Sequence, residues 1–384
     1  MSLTGCAWIQ RSSVSSAPAT IEGNQASDRP SLSQTGRFVA FESLATNLVA
    51  GDTNGASDAF VRDHVRQTTE RISVAGDGSQ ANGASRNASI SDDGRFVAFE
   101  TDASNLFTGD GNGKTDIVVR DRQLGTTTLV SIDALGQRFA DAATAPAISG
   151  DGRVVAFNVL TPFMTFCCVT VGPYVRVLAA GTTKLMPVVP GQVNLSAQVS
   201  LSDDGRRIVY GQLNPVGMDA TFAIVVADTT TAQFVATVTS GTLTHQSQGT
   251  FDQAISGDGR VVVVTLTTSA PRSGDVYTFD VDHPNLVRIL GGLFTRPALA
   301  DDASVIALRA LDATGYFVSA PPGMPPRVVS ASTLAVPASS VDGTDLSGDG
   351  AFVAFASRDP LVTGGDGNGV TDVYTRAVGS SRGP

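Results

Sequence analysis

Three stretches of this chain place oxygen-bearing side chains at one spacing: "GDTNGASD" (51–58), "GDGNGKTD" (109–116) and "GDGNGVTD" (365–372). Asp52, Asn54 and Asp58, then Asp110, Asn112 and Asp116, then Asp366, Asn368 and Asp372 fall at relative positions 1, 3 and 7, with glycine at 4. A similar spacing opens an EF-hand loop, and hard cations such as Ca²⁺ prefer oxygen ligands. The positions between the oxygens vary (Thr53, Gly111, Gly367; Ala56, Lys114, Val370) while the oxygens do not. The nine residues are therefore candidate calcium ligands of modest affinity. The bland alternative is an Asx-turn in which Asp and Asn cap backbone amides. A full EF-hand also needs glycine at 6 and a bidentate Glu at 12, and neither is present. Asp63 and Asp121 stand at position 12, but a strand separates them from Asp58 and Asp116.

The Gly-Lys-Thr of the second stretch also invites a phosphate-cradling loop. That loop needs glycine where Thr108 stands and a helix after it, whereas "DIVVRD" reads as a strand. No Gly-x-Ser-x-Gly elbow and no His-Glu-x-x-His occurs. His64, His245 and His283 read as solvated surface histidines, so no catalytic residue is assigned. The only tryptophan, Trp8, offers no aromatic platform for sugars.

The elements that must position these loops come from a repeat. Ser-x-Asp-Gly-Arg followed by alternating apolar residues recurs seven times, at 33–43, 91–101, 149–159, 202–212, 256–266, 300–310 and 347–357. Gly36, Gly94, Gly152, Gly205, Gly259, Ala303 and Gly350 mark equivalent places, at intervals of 58, 58, 53, 54, 44 and 47 residues. Such periods belong to propeller blades. Asp-Gly between two β-rich runs signals a hairpin, because glycine accepts the positive φ of the turn. Runs such as "DAFVRD" (58–63) and "DVYTRA" (372–377), then "TTERISV" (68–74), supply a third and a fourth strand. Phe38, Phe41, Phe96, Phe99, Phe157, Phe352 and Phe355 alternate along the second strands and read as core between blades.

The expectation is an all-β chain: a seven-bladed β-propeller of four-stranded antiparallel blades, with six blades as the alternative, spanning 1–384 as one domain. Residues 6–14 read as the closing strand of the last blade, because "IQRSSVSS" parallels "TERISVAG" and the last repeat stops at its third strand. Closure removes sheet edges that would template aggregation. The three acidic loops then lie on one face, in blades one, two and seven.

The repeat "SDDGRFVAFE" resembles the TolB-type, WD-like propeller repeat over essentially the whole chain, with the 300–310 copy departing at Ala303. TolB itself implies six blades plus an N-terminal α/β domain, for which this chain has no room. The resemblance implies a propeller fold and a protein-binding role outside the cytoplasm. A propeller hydrolase or lyase acting from the central funnel is the alternative.

Composition sets the remaining bounds. Only 16% of residues are charged, against ~25% on average. A net charge of −10 argues against nucleic acid, which needs a basic footprint. No run reaches the ~18 apolar residues of a spanning helix, and no apolar signal region follows Met1. "LTGC" has the form of a lipoprotein box, which makes Cys6 a candidate lipid anchor. Vicinal Cys167 and Cys168 read as buried small hydrophobes.

Overall fold

Each Ser-x-Asp-Gly turn folds because glycine takes φ near +70°, as at Gly36, Gly94 and Gly152. A Cβ on Gly94 would also lie 2.1 Å from the ring of Phe38, contributed by the neighbouring repeat. The same glycine therefore turns the hairpin and receives the preceding blade's aromatic. Ala303 holds φ +56 without glycine's freedom, so the departing copy keeps the turn at a steric cost.

In this computed structural model, the described residues are 9–378 apart from 19, 164–166, 191–192, 195–197, 217–218, 244–248, 270–271, 311–314, 320–326, 331–340, 359–360 and 362–367. The chain opens with β1 (Ile9–Arg11). The first repeat forms β2 (Ser27–Leu32), β3 (Phe38–Ser43), β4 (Asp58–Asp63) and β5 (Thr68–Arg71). The second forms β6 (Ser85–Ile90), β7 (Phe96–Thr101), β8 (Asp116–Asp121) and β9 (Thr126–Leu129). The third forms β10 (Ala142–Ile148), β11 (Val154–Phe163), β12 (Cys167–Val177) and β13 (Thr182–Leu185), and β14 (Val193–Asn194) follows. The fourth has β15 (Ser200–Leu201), β16 (Arg207–Val216), β17 (Asp219–Asp228) and β18 (Gln233–Leu243). The fifth has β19 (Gly249–Ile255), β20 (Val261–Ser269), β21 (Arg272–Asp280) and β22 (Asn285–Gly291). The sixth has β23 (Phe294–Leu299), β24 (Val305–Ala310), β25 (Gly315–Ser319) and β26 (Arg327–Ser330). The last has β27 (Val341–Leu346), β28 (Phe352–Ser357) and β29 (Asp372–Ala377).

These strands form a β-propeller of antiparallel blades, but the separate sheets number six among the described residues, not seven. Five are four-stranded. The sixth is nine-stranded and fuses the third and fourth repeats. The cause is strand length. β12 and β16 run 11 and 10 residues where β4 and β3 run 6, so they reach past the usual blade edge. There β14 pairs with both β12 (Thr170 opposite Asn194) and β16 (Val193 opposite Leu213). The count of six is the alternative of the sequence expectation, and the seven turn motifs are distributed over six sheets.

In the sheet of the last repeat the order is β1-β29-β28-β27, with Ile9 opposite Arg376 and Arg11 opposite Tyr374. Phe41, Phe99, Phe157 and Phe355 are buried between sheets, while Phe38, Phe96 and Phe352 pack from the rim of the clusters. Phe41 stacks on Phe60 at 5.7 Å and Phe355 on Tyr374 at 6.0 Å. Cys167 and Cys168 begin β12; Cys6 and Trp8 lie outside the described residues.

The motif's arginine has its own partner. Arg37 makes a bidentate pair with Asp63 (3.1 and 2.8 Å), and Arg95 repeats it with Asp121. Burial pushes the Asp63 carboxyl up, but Arg37 and the amides of Arg66 and Val65 pull it down to about 2. These two aspartates thus serve the turn end of their strands, away from the acidic loops.

Candidate functional site on two opposite faces

In each repeat, strands one and two join at one face and strands two and three at the other. The acidic loops occupy the second face. Their asparagines act identically. Asn54 Oδ1 accepts from the Ala56 amide at 2.9 Å, and Asn54 Nδ2 donates to the Ala81 carbonyl at 2.9 Å. Asn112 does the same with Lys114 (2.9 Å) and Phe139 (3.2 Å). Asn368 accepts from Val370 and donates to the Gly23 carbonyl. Each is an Asx-turn whose other end hooks the connection to the next blade.

The last aspartate of each loop starts a buried strand and receives a serine hydroxyl. Ser73 donates to Asp58 Oδ1 (2.5 Å), Ser131 to Asp116 Oδ1 (2.6 Å) and Ser13 to Asp372 Oδ1 (2.6 Å). Burial pushes the carboxyls of Asp58 and Asp116 up, with these serines opposing. The blades differ in what meets the other oxygen. In blade one, Gln80 Nε2 donates to Asp52 (2.9 Å) and Asp58 Oδ2 (3.0 Å), and Arg71 lies 3.6 Å from that same oxygen. In the last blade Arg11, at the register position equivalent to Arg71, lies 3.2 Å from Asp372 Oδ2 and 3.0 Å from Glu22. In blade two Arg138 meets Asp110 at 3.2 Å, while Asp116 Oδ2 is buried without a hydrogen bond. Asp366 lies outside the described residues.

The opposite face carries residues that motif reading passed over. In the motif Ser-x-Asp-Gly, the serine hydroxyl donates to the Asp carboxylate, as Ser91 to Asp93 Oδ1 (2.7 Å) and Ser202 to Asp204 Oδ1 (2.7 Å). The x position reads Gln34, Asp92, Gly150, Asp203, Gly257, Asp301 and Gly348 around the ring, and Asp92, Asp203, Gly257, Asp301 and Gly348 of these line the channel. A backbone belt joins these turns. Gln34 donates to Asp92, Asp92 to Gly150, Asp151 to Asp203, Asp203 to Gly257, Asp258 to Asp301, Asp301 to Gly348, and Asp349 back to Gln34, at 2.8–3.1 Å.

Small and large residues alternate there for a steric reason. A Cβ on Gly150 would sit 2.1 Å from Asp92 Oδ2, one on Gly257 2.0 Å from Asp203 Oδ2, and one on Gly348 2.5 Å from Asp301 Oδ1. Each aspartate thus leans across the next turn. Asp301 receives Gln34 Nε2 at 2.6 Å; among the described residues no hydrogen bond or ion pair reaches the side chains of Asp92 and Asp203. Burial, then the charges of Asp301, Asp93 and Asp151, lift Asp92 to about 6. Burial, then Asp92, Asp301, Asp204 and Asp258, lift Asp203 to about 7. The Asp–Gly alternation was visible in the sequence, but only ring closure shows that its members face one another.

These aspartates rim a central cavity of about 370 Å³ lined by the first strands of the blades. Its wall bulges inward at Arg29, Asn87, Ala145, Arg296 and Gly343, all with φ of 50–55°. Carboxylates brace the bulges: Glu42 accepts from the Asn87 amide and Glu100 from the Ala145 amide, both at 2.8 Å. No histidine or tyrosine is among the lining residues. Among the described residues no three carboxylate, imidazole or thiol groups converge as a metal cluster would.

The histidines are elsewhere. His283 is exposed near Asp280, and His245 lies outside the described residues. His64 corrects the expectation of a solvated surface residue. Its Nε2 is 3.2 Å from Ser12 Oγ and 3.3 Å from Thr375 Oγ1, where the N-terminal segment meets β29. Burial, with Arg62 beside it, lowers His64 to about 4. The chain reverses after β1 and wraps over the end of β4, which covers the ring; four residues of local sequence could not reveal that.

Neither a protein-family model nor a curated protein matches this sequence. Solved structures match in fold. A chain of Kuenenia stuttgartiensis hydrazine synthase aligns at 12% identity and TM-score 0.53, covering 89% of this chain and 95% of that one. The β-propeller domain of Myceliophteria thermophila Cps50 (Swd1) aligns at 12% identity and TM-score 0.55, covering 93% and 99%. TolB from Acinetobacter baumannii aligns at 15% identity and TM-score 0.41, covering 89% and 80%. The likeness to the first two shows the β-propeller fold. No helix is long and apolar enough to cross a membrane among the described residues.

Proposed function

We propose that this chain is a non-catalytic, calcium-stabilised propeller scaffold that acts outside the cytoplasm and binds a basic segment of a protein partner at its channel mouth. One observation carries the binding surface: Asp92 and Asp203 face the channel with no cationic or hydrogen-bonding partner among the described residues, and burial, then the repulsion of neighbouring carboxylates, raises both carboxyls. A lysine or arginine side chain entering the mouth would relieve that repulsion and gain charge-assisted hydrogen bonds. The face opposite would be stiffened by calcium at the acidic loops, at the low affinities that suit extracellular levels of the ion. A hydrolase or lyase working from the funnel is the alternative reading, and its acid–base groups would be carboxylates, since the lining residues include no imidazole.

Anisotropy of a labelled oligolysine peptide tests the surface. Wild-type protein should bind it at low salt, and the combined Asp92→Asn, Asp203→Asn, Asp301→Asn variant at least tenfold more weakly. Equal affinities for the two proteins, with both folded by circular dichroism, would remove the channel mouth as the binding surface.

A further inference from the structure

The three acidic loops are built alike, yet their charge balance differs by one position. Arg71 ends β5 opposite Phe60, Leu129 ends β9 opposite Val118, and Arg11 ends β1 opposite Tyr374. These are equivalent register positions, two residues along from Asp58, Asp116 and Asp372 on the facing strand. A second position is also equivalent: Gln80, Arg138 and Glu22 pair across isolated bridges with Val74, Ile132 and Val14.

In blade one the neutral Gln80 and the cation Arg71 share Asp52 and Asp58. In the last blade Arg11 meets Asp372 and Glu22. Blade two has moved its cation. Arg138 lies over the Phe107 ring (4.6 Å), holds Asp110 Oδ1 at 3.2 Å and reaches the Thr108 carbonyl at 3.3 Å. It acts on Asp116 through its charge alone, with no hydrogen bond or ion pair to Asp116 Oδ2 among the described residues. Leu129 brings no charge to the inner side.

Asp116 is 3% exposed, and its Oδ2 has no hydrogen-bond partner. In blade one the matching oxygen, Asp58 Oδ2, faces the loop interior, with Gln80 Nε2 at 3.0 Å, Asn54 Nδ2 at 3.3 Å and Arg71 at 3.6 Å. A buried carboxylate oxygen with nothing on it is costly, and a cation is the compensation its neighbours have.

We infer that the loop 109–116 alone is a divalent-cation site, in which calcium takes the place that Arg71 and Arg11 fill in the other two loops. The inference rests on the calcium part of the function proposed above and narrows it from three loops to one. Asp116 Oδ2 and Asp110 supply charged oxygens. Asn112 Oδ1, which accepts one amide bond from Lys114, has a second lone pair to offer. Water completes the shell, as in sites of modest affinity.

Calorimetric titration of the full chain with CaCl₂ decides it. Wild type should bind one equivalent at millimolar calcium. Asp116→Asn should abolish binding, and so should Leu129→Arg, which installs blade one's guanidinium in blade two. Leu129→Arg should also melt at the wild-type temperature or above without calcium and lose the calcium-induced upward shift. Three equivalents bound would overturn the single-loop inference and leave the general calcium proposal standing. One equivalent that survives in Leu129→Arg would overturn the assignment to this loop. No binding at all would remove calcium from both proposals, and the peptide-binding test at the opposite face would be unaffected.

Discussion

The two acidic faces use the same residue in opposite ways. On the loop face, Asp58 and Asp372 have both oxygens met by serine, glutamine or arginine from the adjoining strand or connection, whereas Asp116 has only Oδ1 met, by Ser131. At the channel mouth, Asp92 and Asp203 meet chiefly other carboxylates. Pairing by a local neighbour makes a carboxylate part of the scaffold. Convergence of like charges from separate blades leaves it able to accept something from outside. The number of acidic residues on a face therefore says little, and what stands across from each oxygen says much.

The contrast can be broken most severely at Arg11. Arg11→Leu should strand Asp372, which is fully buried, and cost about 3–5 kcal/mol of stability in urea denaturation. A cost below about 1 kcal/mol would show that the loop face does not depend on its guanidinium partners. Acid should act next, through His64. Its folded pKa of about 4 lies below the ordinary value of 6.5, so its neutral form stabilises the fold above pH 6.5. That contribution is lost as pH falls from 6.5 through 4, by roughly 2–3 kcal/mol. His64→Asn should flatten this part of the pH–stability curve; an unchanged curve would assign acid sensitivity to the carboxylates instead.

At the channel mouth the sign reverses. Asp203, raised to about 7, favours folding while protonated, and that contribution is lost as pH rises from about 4 through 7. Asp203→Asn should therefore stabilise the protein at pH 8, by on the order of 1 kcal/mol after solvent screening. The gain should vanish below pH 4. A destabilised variant at pH 8 would mean that the aspartate has a partner after all. The smallest effect belongs to Ala303→Gly, which relieves a positive φ and should add about 0.5–1 kcal/mol, read as a higher melting temperature.

How far the sequence leads depends on distance along the chain. The turns, the third strands and the acidic loops were legible because each is specified within about a dozen residues. "DAFVRD" and "DIVVRD" became β4 and β8 residue for residue. The fusion of the third and fourth repeats was not legible, because it depends on how far β12 and β16 outrun their blades. The guanidinium partners of the loops were missed for a related reason. Arg71 and Arg138 lie 13 and 22 residues beyond Asp58 and Asp116, and only strand register brings them back. The aspartates of the mouth come from three different sheets, and no local pattern could relate them. His64 was misplaced because its surroundings arrive from Ser12 and Thr375.

That last contact has a consequence for biosynthesis. Ser12 and Thr375 share a 2.8 Å hydrogen bond across 363 residues of sequence. During translation, the N-terminal strand must wait for nearly every later residue before its partner exists. Five sheets can pair in the meantime, but the sixth needs segments 363 residues apart, a separation at which loop entropy slows the step. A ribosome that stalls late would leave β27 to β29 incomplete and β1 without its partner strand. Such a product exposes a strand edge on each side of the gap, which marks it for aggregation or for proteolysis.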